Sequence, residues 1–79
     1  SEYAAAGTLA HSIAELKARN YFIEHMPTRT FNARLKKLKE SPHYDKGMDA
    51  ATDMYLEHLK SLALSFSSPP FVTLENRVD

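Results

Sequence analysis

The chain has 79 residues, no cysteine, and ten basic against ten acidic side chains. A chain of that length forms one domain at most and hides only about 60% of the surface its unfolded form exposes, so its stability margin is thin. Disulfides and cysteine-held zinc are excluded, no apolar run approaches the roughly 18 residues of a membrane span, and formal neutrality removes any overall pull toward nucleic acid.

A hydrophobic fraction of 43% and a charged fraction of 25% describe an ordinary globular chain. The absence of cysteine and of a secretory signal fits an intracellular setting, cytoplasmic or nuclear. The opening Ser1 fits a tag remnant, a processed end or an excised fragment.

The first segment, about Glu2 to His25, reads as helix. Tyr3-Ala4-Ala5-Ala6 is mostly alanine, the best helix former. Ala6, Leu9, Ala10, Ile13 and Leu16 follow a helical stripe. Gly7 and Thr8 are weak points, so the first turns fray or Thr8 is the N-cap. Asn20 falls where the stripe wants an apolar residue, which predicts a bend or a short second helix there. His25-Met26-Pro27 ends the segment, because a residue before proline avoids helical angles.

The second segment runs from Thr28 or Thr30 to Glu40, with Thr30 able to cap it through its hydroxyl. Phe31, Leu35 and Leu38 make one narrow apolar stripe. Arg29, Arg34, Lys36, Lys37 and Lys39 cover much of the rest, with no acid among them. Three turns are too short to stand alone, so this helix needs tertiary packing.

The third segment has the clearest period. Ser41-Pro42 offers a cap and a first-turn proline, with Asp45 as the alternative cap. Ala51, Met54, Tyr55, Leu59, Leu62 and Phe66 form one broad face, predicted to be buried, with Leu59 and Leu62 at its middle. His58 borders that face and is expected to be partly buried. Asp45, Asp49, Asp53 and Glu57 stand four apart and stack along another face. Ser65, Ser67 and Ser68 fray the end and Pro69-Pro70 stops it. The tail from Pro69 to Asp79 holds Phe71, Val72, Leu74 and Val78. It is expected to be extended and to lie against the helices or a partner.

The acidic ladder admits a solvated helix face, a match to the basic second segment across the Glu40–Tyr44 turn, or a docking face for a basic partner. Like charges at this spacing repel by roughly 0.2–0.5 kcal/mol per pair. On that ground alone, replacing Asp49, Asp53 and Glu57 by amides leaves stability intact or raises it slightly. Carboxylates on one helix seldom converge on one ion, so no metal is expected. His11, His25, His43 and His58 show no i, i+4 pair of the kind that holds zinc on a helix. His43-Tyr44-Asp45 lacks a nucleophile or glycine-rich loop beside it, and no cofactor motif is present.

Tyr21 and Phe22 are adjacent, so on a helix they cannot both face one small core. One of them is a candidate interface anchor, since aromatics are favoured at binding hot spots. Leu64 lies seven residues beyond Glu57 on the polar side and is a second candidate.

The expected fold is all-α, a bundle of about three helices over residues 1–68 in up-down-up order, followed by an extended tail over 69–79. Its core is drawn from Leu9, Ile13, Leu16, Phe31, Leu35, Leu38, Met54, Tyr55, Leu59, Leu62 and Phe66. The expected function is non-enzymatic: an adaptor, inhibitor or assembly domain that binds another protein. Its candidate contacts are Asp49, Asp53, Glu57, Tyr21, Phe22, Leu64, Phe71 and Leu74. One alternative is a nucleic-acid contact through Arg29, Arg34, Lys36, Lys37 and Lys39. Another is a structural homo-oligomer.

Overall fold

The computed structural model describes residues 1–66. Among them are three helices, α1 (Glu2–Phe22), α2 (Thr28–Lys39) and α3 (Lys46–Leu64), and no strand. The tail beyond Phe66, with its candidates Phe71 and Leu74, lies outside the described residues. None of the three helices is long and apolar enough to cross a membrane.

α1 begins earlier than its sequence suggests and is one unbroken helix to Phe22. The Ser1 hydroxyl accepts from the Ala4 N–H at 3.2 Å and caps the first turn. Thr8 therefore lies inside the helix and is not its cap. Asn20 does not start a second helix either. Its Oδ1 accepts from the Met26 N–H at 2.9 Å, which draws the connecting segment back against the helix end. The residue that interrupts the apolar stripe thus organises the exit from the helix.

α2 starts at Thr28 with Pro27 in the cap position, and no side chain caps it. Thr30 sits within the first turn. Lys36, Lys37 and Lys39 lie in the last turn, where the helix dipole favours positive charge. Ser41 serves the following turn: its carbonyl accepts from the Tyr44 N–H and its hydroxyl from the His43 N–H. α3 then starts at Lys46, with Asp45 in the cap position on extended backbone. The Asp45 carboxylate makes no capping bond.

α1 is the central helix. α2 and α3 both pack on it and touch each other much less. Lys17 meets Asp49, Thr52 and Asp53, and four residues on Tyr21 meets Lys60, so α1 and α3 run the same way, as an up-down-up chain requires. Leu9, Ile13 and Ala18 are buried, Ile13 completely. Leu16, Phe31, Leu35, Leu38 and Leu59 are half-buried around them.

The expected contribution of α3 to this core needs correction. Met54 is 74% exposed, Phe66 57%, Tyr55 47% and Leu62 41%. His58 is exposed as well. The residues of α3 that turn inward are Met48, Thr52, Leu56, Leu59 and Ala63. At 100° per residue, that line lies roughly a quarter turn away from the apolar face that the pattern predicts.

Candidate functional site

The rotation of α3 follows from one side chain. Lys17 is four residues after Ile13 and eight after Leu9, so it stands in the buried row of α1. It is only 5% exposed. An ammonium taken out of water is costly unless its protons find acceptors and its charge a counter-charge. α3 supplies both. The Nζ of Lys17 donates to Asp49 Oδ1 at 2.8 Å, Asp53 Oδ1 at 2.7 Å, Thr52 Oγ1 at 2.8 Å and the Asp49 carbonyl at 3.1 Å. Thr52, itself buried, passes its own proton to the Met48 carbonyl at 2.7 Å. No buried side-chain nitrogen or oxygen among the described residues lacks a partner.

Burial works against the charge on Lys17. The hydrogen bonds it donates to Asp49 and Asp53 and the Coulomb attraction of both carboxylates outweigh it, so its pKa is raised above the ordinary lysine value. The same hydrogen bond from Lys17 holds the Asp49 carboxyl below the usual carboxylate range, helped by the charges of Lys17 and Lys39. Lys39 is the single cation of α2 that pairs with the ladder, 3.4 Å from Asp49 Oδ2. Glu57 pairs with Lys60 at 2.9 Å.

The ladder is therefore not a free acidic face. It is matched chiefly from α1 and α3, and from α2 only through Lys39. Among the expected contacts, Asp49 and Asp53 are structural partners of Lys17. Replacing them by amides removes its counter-charges, so the stability gain expected from charge repulsion alone is corrected to a loss. Lys17 itself was not legible as a partner from composition. Its signal was positional, a lysine in register with Leu9 and Ile13, facing a helix that carries acids every fourth residue.

With its Asp49–Thr52–Asp53 side drawn toward α1, α3 turns its apolar flank outward. Ala51, Met54 and Tyr55 lie within about one turn of each other on that flank, and Leu62 and Phe66 follow seven and eleven residues beyond Tyr55. Helical neighbours three and four apart touch, so Ala51, Met54 and Tyr55 form one exposed apolar group and Leu62 and Phe66 another, joined across half-buried Leu59 and exposed His58. Leu64 is 89% exposed on the opposite side of the helix.

Tyr21 and Phe22 split as their adjacency demands. Tyr21 is exposed and Phe22 half-buried, the two rings meeting edge to face with centroids 4.9 Å apart. The Lys60 ammonium stands over the Tyr21 ring at 4.3 Å. Between the helices, Lys17, Asn20, Tyr21, Phe31, Leu35 and Lys39 line a cleft of about 370 Å³, closed on the α3 side by Asp49, Asp53 and Leu56. Its two lysines and two aspartates are bonded to each other.

Among the described residues, no group of three or more histidines and acids is placed to hold a metal ion. Of the basic candidates, Arg29, Arg34, Lys36 and Lys37 are exposed, and Lys39 is half-buried against Asp49.

The whole chain, residues 1–79, matches the DUF2800 family, described as protein of unknown function, and belongs to that family. No curated protein and no solved structure matches the chain.

Proposed function

We propose that this three-helix unit is a docking module that packs the outer flank of α3 against another protein surface. The observation that carries the reading is the exposed flank of Met54, Tyr55, Leu62 and Phe66 on a helix whose inward side is held by a lysine. Exposed apolar surface of this kind marks interaction sites more often than it marks idle surface. Two aromatics and a methionine suit such a role, since these residue types are enriched at interface cores. Tyr21, beside Lys60, and Leu64 lie on the other side of α3 and take no part in this contact.

The acids of the ladder have a different part from the one their spacing suggests. Asp49 and Asp53 set the rotation of α3 and so decide which flank is offered. Glu57, exposed and paired with half-buried Lys60, and exposed Asp45 are the members available to steer a partner. An exposed charge of that kind acts mainly on encounter rate.

The test is site-specific photo-crosslinking in the native host, with the reactive group at Met54 or Leu62 and, as reference, at Lys36 on α2. The expected result is one discrete adduct from both α3 positions and none from Lys36. The partner so identified, purified, should lose binding to Leu62→Glu by tenfold or more, since a charge placed in an interface core costs about 1.4 kcal/mol or more. Adducts of the chain with itself, together with a size that grows with concentration, would favour the homo-oligomer. Equal adducts at all three positions would remove the proposal.

A further inference from the structure

We infer that the outer face of α2 is a docking surface for the phosphate backbone of nucleic acid, bound without regard to base sequence. The inference rests on how the charges of this formally neutral chain pair off. Of the acidic ladder, Asp49, Asp53 and Glu57 are paired with Lys17, Lys39 and Lys60, and Asp45 alone is left outside these ion pairs. What remains on α2 is Arg29, Arg34, Lys36 and Lys37, all exposed, none of them in an ion pair with any described residue. Among the described residues, the only polar contact of the four is a weak one, from Arg34 Nη1 to Met26 Sδ at 3.7 Å. α2 itself holds no acid. The match between a basic helix and an acidic one that would have silenced these cations is made by a single residue, Lys39.

The geometry is that of a face and not of a scatter. Phe31, Leu35 and Leu38 turn toward the core, so the residues opposite them, Arg29, Asn32, Ala33, Lys36 and Lys37, share the outer side of one rigid helix. Arg29 and Lys36 are two turns apart on the same line, about 10.5 Å. The face ends at Glu40, one turn beyond Lys36. Clustered cations on one side of a helix are the electrostatic footprint of nucleic-acid binding.

The same face argues against an anionic membrane. A helix that lies in a lipid surface buries large apolar side chains on the side that meets the membrane. The outer side of α2 offers only Ala33, and its large apolar residues are already turned to the core. It also differs from a sequence reader. No base-reading constellation is needed for a surface that meets only phosphate oxygens, and contacts to those oxygens carry no sequence information.

The experiment is fluorescence anisotropy of labelled duplex and single-stranded DNA of mixed sequence with the 79-residue chain, from 50 to 200 mM salt. The three cations of this face, Arg29, Lys36 and Lys37, give a slope of log affinity against log salt of about −2.7 on duplex, hence a loss of roughly fortyfold across that range. Lys36→Gln with Lys37→Gln should cut the slope by about two-thirds. Arg19→Gln with Lys46→Gln removes the same charge from exposed positions off this face and should leave the slope unchanged. Circular dichroism melts of both pairs should match wild type, as exposed sites allow. No binding at 50 mM salt, an equal loss from both pairs, or selective binding to phosphatidylserine vesicles over DNA would each overturn the inference.

Discussion

Lys17 decides more about this protein than any other residue, and it does so through an asymmetry. The amine is buried, but its partners are not: the Asp49 side chain is about a third exposed and that of Asp53 more than half. Removing the lysine lets both carboxylates turn to water. Removing the carboxylates strands a buried ammonium. Leaving a buried charge without its partner costs about 3–5 kcal/mol, whereas replacing the ionic group by an apolar one of similar volume is often neutral. Asp49→Asn with Asp53→Asn should therefore destabilise the chain by about 3 kcal/mol, and Lys17→Met by about 1 kcal/mol or less. Urea denaturation of the two variants against wild type reads this directly, and the reverse order would mean that the node does not bear on stability as described.

The node also sets a pH window. The pKa of Lys17 is raised on folding, so its contribution is complete below the ordinary lysine value, about 10.4, and is lost as pH rises through the higher folded value. That of Asp49 is lowered, so its contribution is complete above the ordinary aspartate value, about 3.9, and is lost as pH falls through the lower folded value. Thermal melts should be flat with respect to these two groups between pH 5 and 9. They should fall at both extremes, and Lys17→Met should flatten the alkaline fall. An alkaline fall that persists unchanged in Lys17→Met would assign it to another group. Gly7 is a simpler case. Nothing lies within 4 Å of a Cβ added there, and the residue is helical. Gly7→Ala should raise stability by about 0.5–1 kcal/mol, read as a higher Tm.

At the scale of elements, the sequence states where the helices are better than which way they face. The Phe31, Leu35 and Leu38 stripe of α2 and the Leu9 and Ile13 row of α1 point inward as their periods require. Pro27 and the Ser41–Asp45 turn bound the elements close to the expected places. α3 is where pattern and structure part. Its widest apolar face is Ala51, Met54, Tyr55, Leu62 and Phe66, and an isolated helix would bury that face. Its neighbour, however, carries a lysine in its own buried row, and the acids and Thr52 are the groups that satisfy it. The packing line settles between the apolar flank and the acidic ladder, along Thr52, Leu56 and Leu59. Leu56 is the residue the apolar pattern omits and the rotation brings in.

The rotation makes a paired prediction. Leu56 lines the inter-helix cleft and is half-buried, whereas Leu62 is 41% exposed. Leu56→Ala should cost about 2–3 kcal/mol, in the lower part of the range for core leucines. Leu62→Ala should cost about 0.5 kcal/mol, as surface substitutions do. Ile13→Ala, at the one fully buried side chain, should be the most damaging of the three. Chemical denaturation of the three variants checks the ranking, and a larger loss at Leu62 than at Leu56 would return α3 to the orientation its pattern suggests.

For the molecule as a whole, the arrangement is two helices laid on a third, with Asp49, Asp53 and Glu57 of the acidic ladder paired with lysines and two surfaces left over. One is the apolar flank of α3 and the other is the basic face of α2. α3 runs parallel to α1, and Tyr21, next to the last residue of α1, meets Lys60. The last turn of α3 and Phe66 therefore extend past the end of the central helix, which adds to the exposure of Leu62 and Phe66. The candidate surfaces were legible as residue types but not as surfaces. Whether the opposed charges meet each other depends on the third helix between them, and neither patch alone reveals that Lys17 intervenes.

The central claim is that α3 holds its polar side toward α1 and its apolar flank to solvent. Single cysteines at Met54, Leu62, Thr52 and Leu56, introduced one at a time into this cysteine-free chain, test it through their rates of reaction with a maleimide under native conditions. The account predicts fast labelling at Met54→Cys and Leu62→Cys, close to the rate of the unfolded chain. It predicts strong protection at Thr52→Cys and Leu56→Cys that disappears in denaturant. Protection at Met54→Cys and Leu62→Cys with rapid labelling at Thr52→Cys would contradict it, by showing the helix turned to bury the flank that is here exposed.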